Sequence, residues 1–139
     1  MQLSKDVRSK LVSELRYCAE RISKEKDLRR KAFFYCNAAD SVHSILDLEY
    51  DSQLVLIGLV LEVSGSMISN RVETILSERD ISVELIDGIF DKLHAYLSEL
   101  AINIEESQDT YKTLEKIAEL AFTATERGYY LYTKGVMKT

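Results

Sequence analysis

This sequence predicts an all-α fold: an antiparallel bundle of four to five long helices with up-and-down connectivity. Three observations carry the prediction. The 139 residues contain no proline, and an interior proline costs a helix about 3 kcal/mol. Every strongly patterned stretch repeats its apolar residues at three- and four-residue spacing, the signature of one helix face. No strand-like alternation of useful length competes with it. The composition is that of a globular chain, 46% hydrophobic and 29% charged. A chain of this size buries roughly 70% of its unfolded surface, enough for a core without disulfides. With no linker, repeat or low-complexity stretch, residues 1–139 read as one domain.

Five segments follow in order. In the first, Val7, Leu11, Leu15, Cys18 and Ile22 share a face, with Ser4 as a possible cap and Asp6 in the first turn. In the second, Leu28, Ala32, Tyr35, Ala39, Val42 and Leu46 do the same. The third runs from a cap at Asp51 to about Glu78. The fourth starts at Ser82, where Ile81 and Ile86 are spaced as a hydrophobic staple, and continues to about Glu106. The fifth starts near Asp109, carries Leu114, Ile117, Ala121, Ala124, Gly128 and Leu131, and stops at Gly135. Short polar links, Asp47–Tyr50 and Ser107–Gln108, make consecutive helices antiparallel neighbours.

One boundary stays open. Ser23-Lys24-Glu25-Lys26-Asp27 holds no glycine or proline, and a three-four spacing continues through it. Residues 3–48 therefore read either as a helical hairpin or as one long helix. Arg29, Arg30 and Lys31 would be cations in a first turn, where the helix dipole disfavours them. The cysteines bear on the choice, because Cys18 and Cys36 are equidistant from residue 27. A hairpin would bring them to the same height, whereas one helix would hold them about 27 Å apart. Two small buried hydrophobes is the simplest reading of these thiols.

The third segment is apolar nearly all round from Leu54 to Val63, with a narrow polar stripe of Glu62, Ser66, Ser69 and Glu73. Such a helix is buried on most faces, by its own bundle or by another subunit. Gly58 and Gly65, one heptad apart, would let a neighbouring helix approach closely.

Whole function classes are disfavoured. The glycines form neither a GxxxxGK[ST] nor a GxGxxG phosphate-binding pattern. Met1–Lys10 has no continuous apolar run, so no secretory leader is expected there. The longest apolar run, Leu54–Leu61, falls far short of the about 20 residues of a membrane span. A cytoplasmic chain with reduced thiols and no membrane partner is expected. Val63-Ser64-Gly65-Ser66-Met67 does not match the nucleophile elbow GxSxG and lies inside a helix.

One constellation could carry chemistry. Both histidines follow an aspartate by three residues, as Asp40/His43 and Asp91/His94. That spacing puts carboxylate and imidazole on one side of a helix, where they can share a metal ion. The arrangement resembles the ferritin-like di-iron carboxylate proteins, in which two helices each give Glu-x-x-His and two more each give a glutamate. The resemblance implies iron or another divalent metal, with Glu62 and Glu14 as the remaining carboxylates, and an oxidative or storage role. Aspartate stands where that family has glutamate, which shortens the reach. The alternative is one semi-buried, hydrogen-bonded histidine and one surface histidine. On the helical wheel His43 falls within the apolar face of its segment and His94 on a flank.

The net charge is −5. Six cations cluster at Arg21, Lys24, Lys26, Arg29, Arg30 and Lys31, against Glu25 and Asp27. They form either a solvated basic turn or a patch for an acidic partner; the acidic remainder disfavours nucleic acid. Tyr129, Tyr130 and Tyr132 crowd the C-terminal segment, a composition suited to packing or to a wet interface. The primary expectation is a noncatalytic interaction or assembly protein without cofactor, self-associating as a homodimer or higher homo-oligomer. Its contact would use Gly58–Met67 and the tyrosine-rich C-terminal segment. The metal-binding bundle at Asp40, His43, Glu62, Asp91 and His94 is the alternative.

Overall fold

The computed structural model describes residues 1–78, 83–125 and 127–128. These described residues form five helices: α1 (Lys5–Lys24), α2 (Leu28–Leu46), α3 (Ser52–Glu78), α4 (Val83–Glu105) and α5 (Tyr111–Thr123). The bundle expected from the periodicity is the one formed.

Residues 3–48 form the hairpin. Glu25 ends α1 with extended backbone, and the Asp27 carboxylate caps α2 by accepting from the Arg30 N–H at 3.1 Å. The cations of the first turn of α2 are held by acids. Arg29 makes a two-point pair with Glu73 of α3, and Arg30 pairs with Glu25. Those bonds offset the unfavourable dipole. The other turns have equally local causes. Asp51 caps α3 by accepting from the Leu54 N–H at 3.1 Å, and also takes the Gln2 N–H at 2.8 Å, which ties down the start of the chain. Ser107 adopts a left-handed φ of 56° after α4, and the Gln108 N–H returns to the Asn103 carbonyl at 2.8 Å.

Neighbouring helices close a ring in the order α1, α2, α3, α5, α4. Cross-helix bonds give the directions. Arg8 reaches Ile104 while Ala19 meets His94, so α1 and α4 are antiparallel. Arg29 meets Glu73 while His43 meets Glu62, so α2 and α3 are antiparallel. Asn103 meets Thr113 while Glu99 meets Lys116, so α4 and α5 are antiparallel. The helices thus alternate up and down along the chain. A closed ring of five cannot alternate all the way round, and α3 and α5 are the neighbouring pair that runs parallel.

Consecutive helices are neighbours except α3 and α4, between which α5 is inserted. The Ser82 cap and the Ile81 half of the staple lie outside the described residues. Among the described residues α5 stops at Thr123, where threonine hydroxyls compete for backbone groups, and helical backbone resumes at residues 127–128; Leu131 and Gly135 lie outside the described residues. Thr123 Oγ1 donates to the Leu120 carbonyl, and Thr125 Oγ1 donates to that of Phe122 while accepting from the Gly128 N–H.

The tightest seam joins α2 to α3. A Cβ on Gly58 would lie 3.1 Å from Val42 Cγ1, and one on Gly65 3.1 Å from Cys36 Sγ. Between them the buried Tyr35 hydroxyl bonds Ser64 at 2.7 Å. Burial pushes the Tyr35 phenol well above its ordinary pKa, against the opposing pull of the Ser64 bond, so it remains a neutral hydrogen-bonding group. Gly65→Leu therefore overpacks this seam. The expected loss is about 1–3 kcal/mol, read as a lower denaturant midpoint at unchanged slope.

Asp51 sets an acid limit. Burial by itself would raise its pKa. The N–H groups of Gln2 and Leu54, the N-terminal charge and the Gln53 N–H outweigh that and hold it below the usual aspartate value. A carboxylate depressed in the folded state contributes stability above its unfolded pKa and loses it as pH falls through the folded one. Asp51→Ala is expected to cost about 1–2 kcal/mol at neutral pH. Denaturant titrations of wild type and variant should converge as the pH drops below that of a free aspartate.

Candidate functional site

The five metal candidates do not form one cluster. Asp40, His43 and Glu62 line a groove between α2 and α3, with Cys36 and Ser69. His43 Nε2 is 3.3 Å from Glu62 Oε2, and both side chains are about half exposed. Asp91 is exposed on α4. His94 lies on the α1–α4 seam, where its Nδ1 donates to the Ala19 carbonyl at 2.8 Å. Glu14 faces a different groove, between α1 and α2, whose rim Asp40 shares. Among the described residues no three histidine, cysteine, aspartate or glutamate side chains are placed to hold a metal ion. One histidine is semi-buried and bonded and the other sits at the surface, with the positions reversed from the helical wheel. The wheel places His43 on the apolar face of α2, but the shallow edge of the α2–α3 seam leaves it in solvent.

The hairpin does not join Cys18 and Cys36. Both are free. Cys36 packs on Gly65 of α3, with its sulfur 3.3 Å from Ser69 Oγ. Cys18 lies on the other side of α2, in the α1–α2 groove, and burial together with the charges of Glu14 and Asp40 pushes its thiol up to about 11. Such a thiol stays protonated and unreactive at neutral pH.

The basic turn is a lattice of compensated charge. Glu25 accepts from both Arg21 and Arg30, and their guanidinium groups lie 5.0 and 5.7 Å from the Phe34 ring centroid. Lys24 pairs with Glu20, and Lys31 lies over the Phe90 ring and 4.0 Å from Asp87. Few of these cations are left for an external anion.

The most distinctive surface lies on α3. Gly58 and Gly65 turn toward α2, so their heptad spacing serves packing within the chain. The other side of the helix is apolar and open. Val55, Leu56, Leu59 and Val63 are 36–52% exposed and follow one another at helical spacing. Leu59 and Val63 border an apolar hollow of about 250 Å³ between α3 and α5, lined also by Val60, Met67, Ala118 and Ala121. Each helix of the ring has two neighbours, so α3 packs on α2 and α5 and keeps a third side turned outward. The third segment is therefore not a central helix enclosed on every side. By length and composition it also satisfies the criteria for a membrane span, although its inner face packs on α2. Val55 and Leu56 lie outside the Gly58–Met67 stretch singled out from the sequence; the breadth of the apolar run was the signal that reaches them. Tyr129, Tyr130 and Tyr132 lie outside the described residues.

The two histidines make distinct predictions. His94→Ala removes a part-buried bond between helices and should cost about 1 kcal/mol in chemical denaturation. His43→Ala removes an exposed pair, and its denaturation curve should overlay the wild type. No family model, curated protein or solved structure matches this chain.

Proposed function

We propose that this protein is a noncatalytic assembly protein that associates with a second copy of itself through the outer face of α3. The observation that carries this reading is the contiguous apolar strip Val55, Leu56, Leu59 and Val63, left open beside the α3–α5 hollow. Scattered exposed apolar residues are ordinary on a soluble surface, whereas a strip at consecutive helical turns is a docking surface.

A second copy suits it for two reasons. The strip is uncharged along its centre, and its one acid, Glu62, stands at the edge, already paired with His43. It is also roughly symmetric about Leu59, with Val55 and Leu56 on one side and Val63 on the other. A twofold axis crossing α3 at Leu59 would lay apolar residues on apolar residues in both directions, as a self-complementary interface requires. A stable dimer buries about 800 Å² per partner, more than one helix strip provides. The contact therefore extends over the adjoining hollow and the exposed Ala118 side of α5. The reading assigns this surface no catalytic role and no cofactor. The cytoplasmic placement remains part of the same proposal.

Light scattering coupled to size exclusion tests it. Wild type at tens of micromolar should give a mass twice the 15.9 kDa of the chain, and Leu59→Arg should give the single-chain mass with an unchanged helical spectrum. A single-chain mass for wild type removes self-association. Partition of the wild-type chain into neutral lipid vesicles, lost in Leu59→Arg, would assign the strip to a membrane instead.

A further inference from the structure

The apolar hollow between α3 and α5 measures about 250 Å³ and is walled by Leu59, Val60, Val63, Met67, Ala118 and Ala121. An apolar cavity of roughly 150 Å³ already accepts a benzene-sized ring. The hollow therefore has room for one aromatic ring and part of a neighbouring side chain. It lies beside the second half of α5, and Ala118 and Ala121 stand within two turns of the end of that helix at Thr123. The chain then turns back on itself. The Thr125 hydroxyl accepts from the Gly128 N–H, and the Gly128 backbone lies so close to Phe122 and Thr123 that a Cβ there would overlap the Phe122 carbonyl. Gly128 is the last described residue. It leaves the chain against the last turn of α5, next to the hollow.

We propose that the hollow seats this chain's own C-terminal segment, residues 129–139, with a tyrosine ring as its anchor. The chemistry of these eleven residues suits the seat. Tyr129, Tyr130, Leu131, Tyr132, Val136 and Met137 supply apolar surface, and the charged side chains, Lys134 and Lys138, are both cations. The α5 surface beside the hollow carries the exposed acids Glu115 and Glu119, one turn before Ala118 and adjacent to it. A tyrosine buries its ring and keeps its hydroxyl in water, as an open apolar hollow requires. The reach is short. Extended backbone covers about 3.3–3.6 Å per residue and a helical turn rises about 5.4 Å, so roughly two or three residues beyond Gly128 bring a ring over Ala121 and Ala118. Covalent attachment decides between this occupant and a free one. A short tether gives an effective concentration in the millimolar range, far above the tens of micromolar at which a second copy would compete. The inference does not rest on self-association. The seat shares Leu59 and Val63 with the proposed contact, and a seated segment forms the part of that contact lying over the hollow.

The chain has no tryptophan, so Tyr130→Trp and Leu131→Trp, made separately in the full chain, each give a single fluorescent reporter. The expected result is blue-shifted emission with weakened acrylamide quenching in at least one of them, unchanged on dilution well below the micromolar range. Ala118→Arg adds a cation at an exposed site on the rim. It should move that emission to the red and restore quenching, with the helical spectrum unchanged. Val55→Arg, on the α3 strip outside the hollow, should leave the emission in place. Solvent-like emission from both reporters would overturn the proposal. So would a blue shift that survives Ala118→Arg or is lost equally in Val55→Arg, either of which would place the segment elsewhere. A shift that fades on dilution would overturn it too, by assigning the hollow to a second copy. The self-association reading fails separately: a single-chain mass for the wild type removes it and leaves the emission as it was.

Discussion

The close approach of α2 and α3 is the constraint on which the rest of the structure depends. Two glycines remove the side chains that would hold the helices apart, and Val42 and Cys36 fill the space. The approach brings the Tyr35 hydroxyl against Ser64 inside the core, where both groups are satisfied. Arg29–Glu73 and His43–Glu62 then pair along the rim of the same seam. Once α3 is docked in this rotation, its polar stripe and its apolar outer strip point to fixed directions. What α3 offers to solvent is decided at its contact with α2.

Ring closure decides the remainder. Five helices that alternate in direction along the chain cannot all be antiparallel to their neighbours in a closed ring. The exception falls at α3 and α5, the one neighbouring pair that is parallel and not consecutive in sequence. The side of α3 that meets neither α2 nor α5 carries the apolar strip, beside the hollow. The surface on which the assembly reading rests is thus a consequence of topology, which leaves an apolar helix open on one side.

The charged residues obey the same economy. The six cations around the α1–α2 turn could have formed an anion-binding patch. Glu25, Glu73, Glu20 and Asp87 meet most of them, and the aromatic faces of Phe34 and Phe90 take part of the rest. The acids of the α1–α2 groove have no such partners among their neighbours.

Local chemistry is legible in the sequence alone. Missing prolines and three-four spacing determine five helices, because helix formation depends on neighbours within a few residues. Asp51 announces its cap for the same reason, and Gly58 and Gly65 announce a close neighbour. Tertiary structure alone decided which neighbour that was. It also separated Asp40/His43 from Asp91/His94, because spacing fixes a pair on one helix and says nothing about how that helix is rotated in the bundle. His43 and His94 exchanged their expected burial on that account. The break after Thr123 escaped the apolar pattern because hydroxyl–backbone competition leaves no periodic trace. The α1–α2 groove was the least legible feature of all: Glu14 and Asp40 are 26 residues apart in the chain, and only the hairpin places them on facing walls.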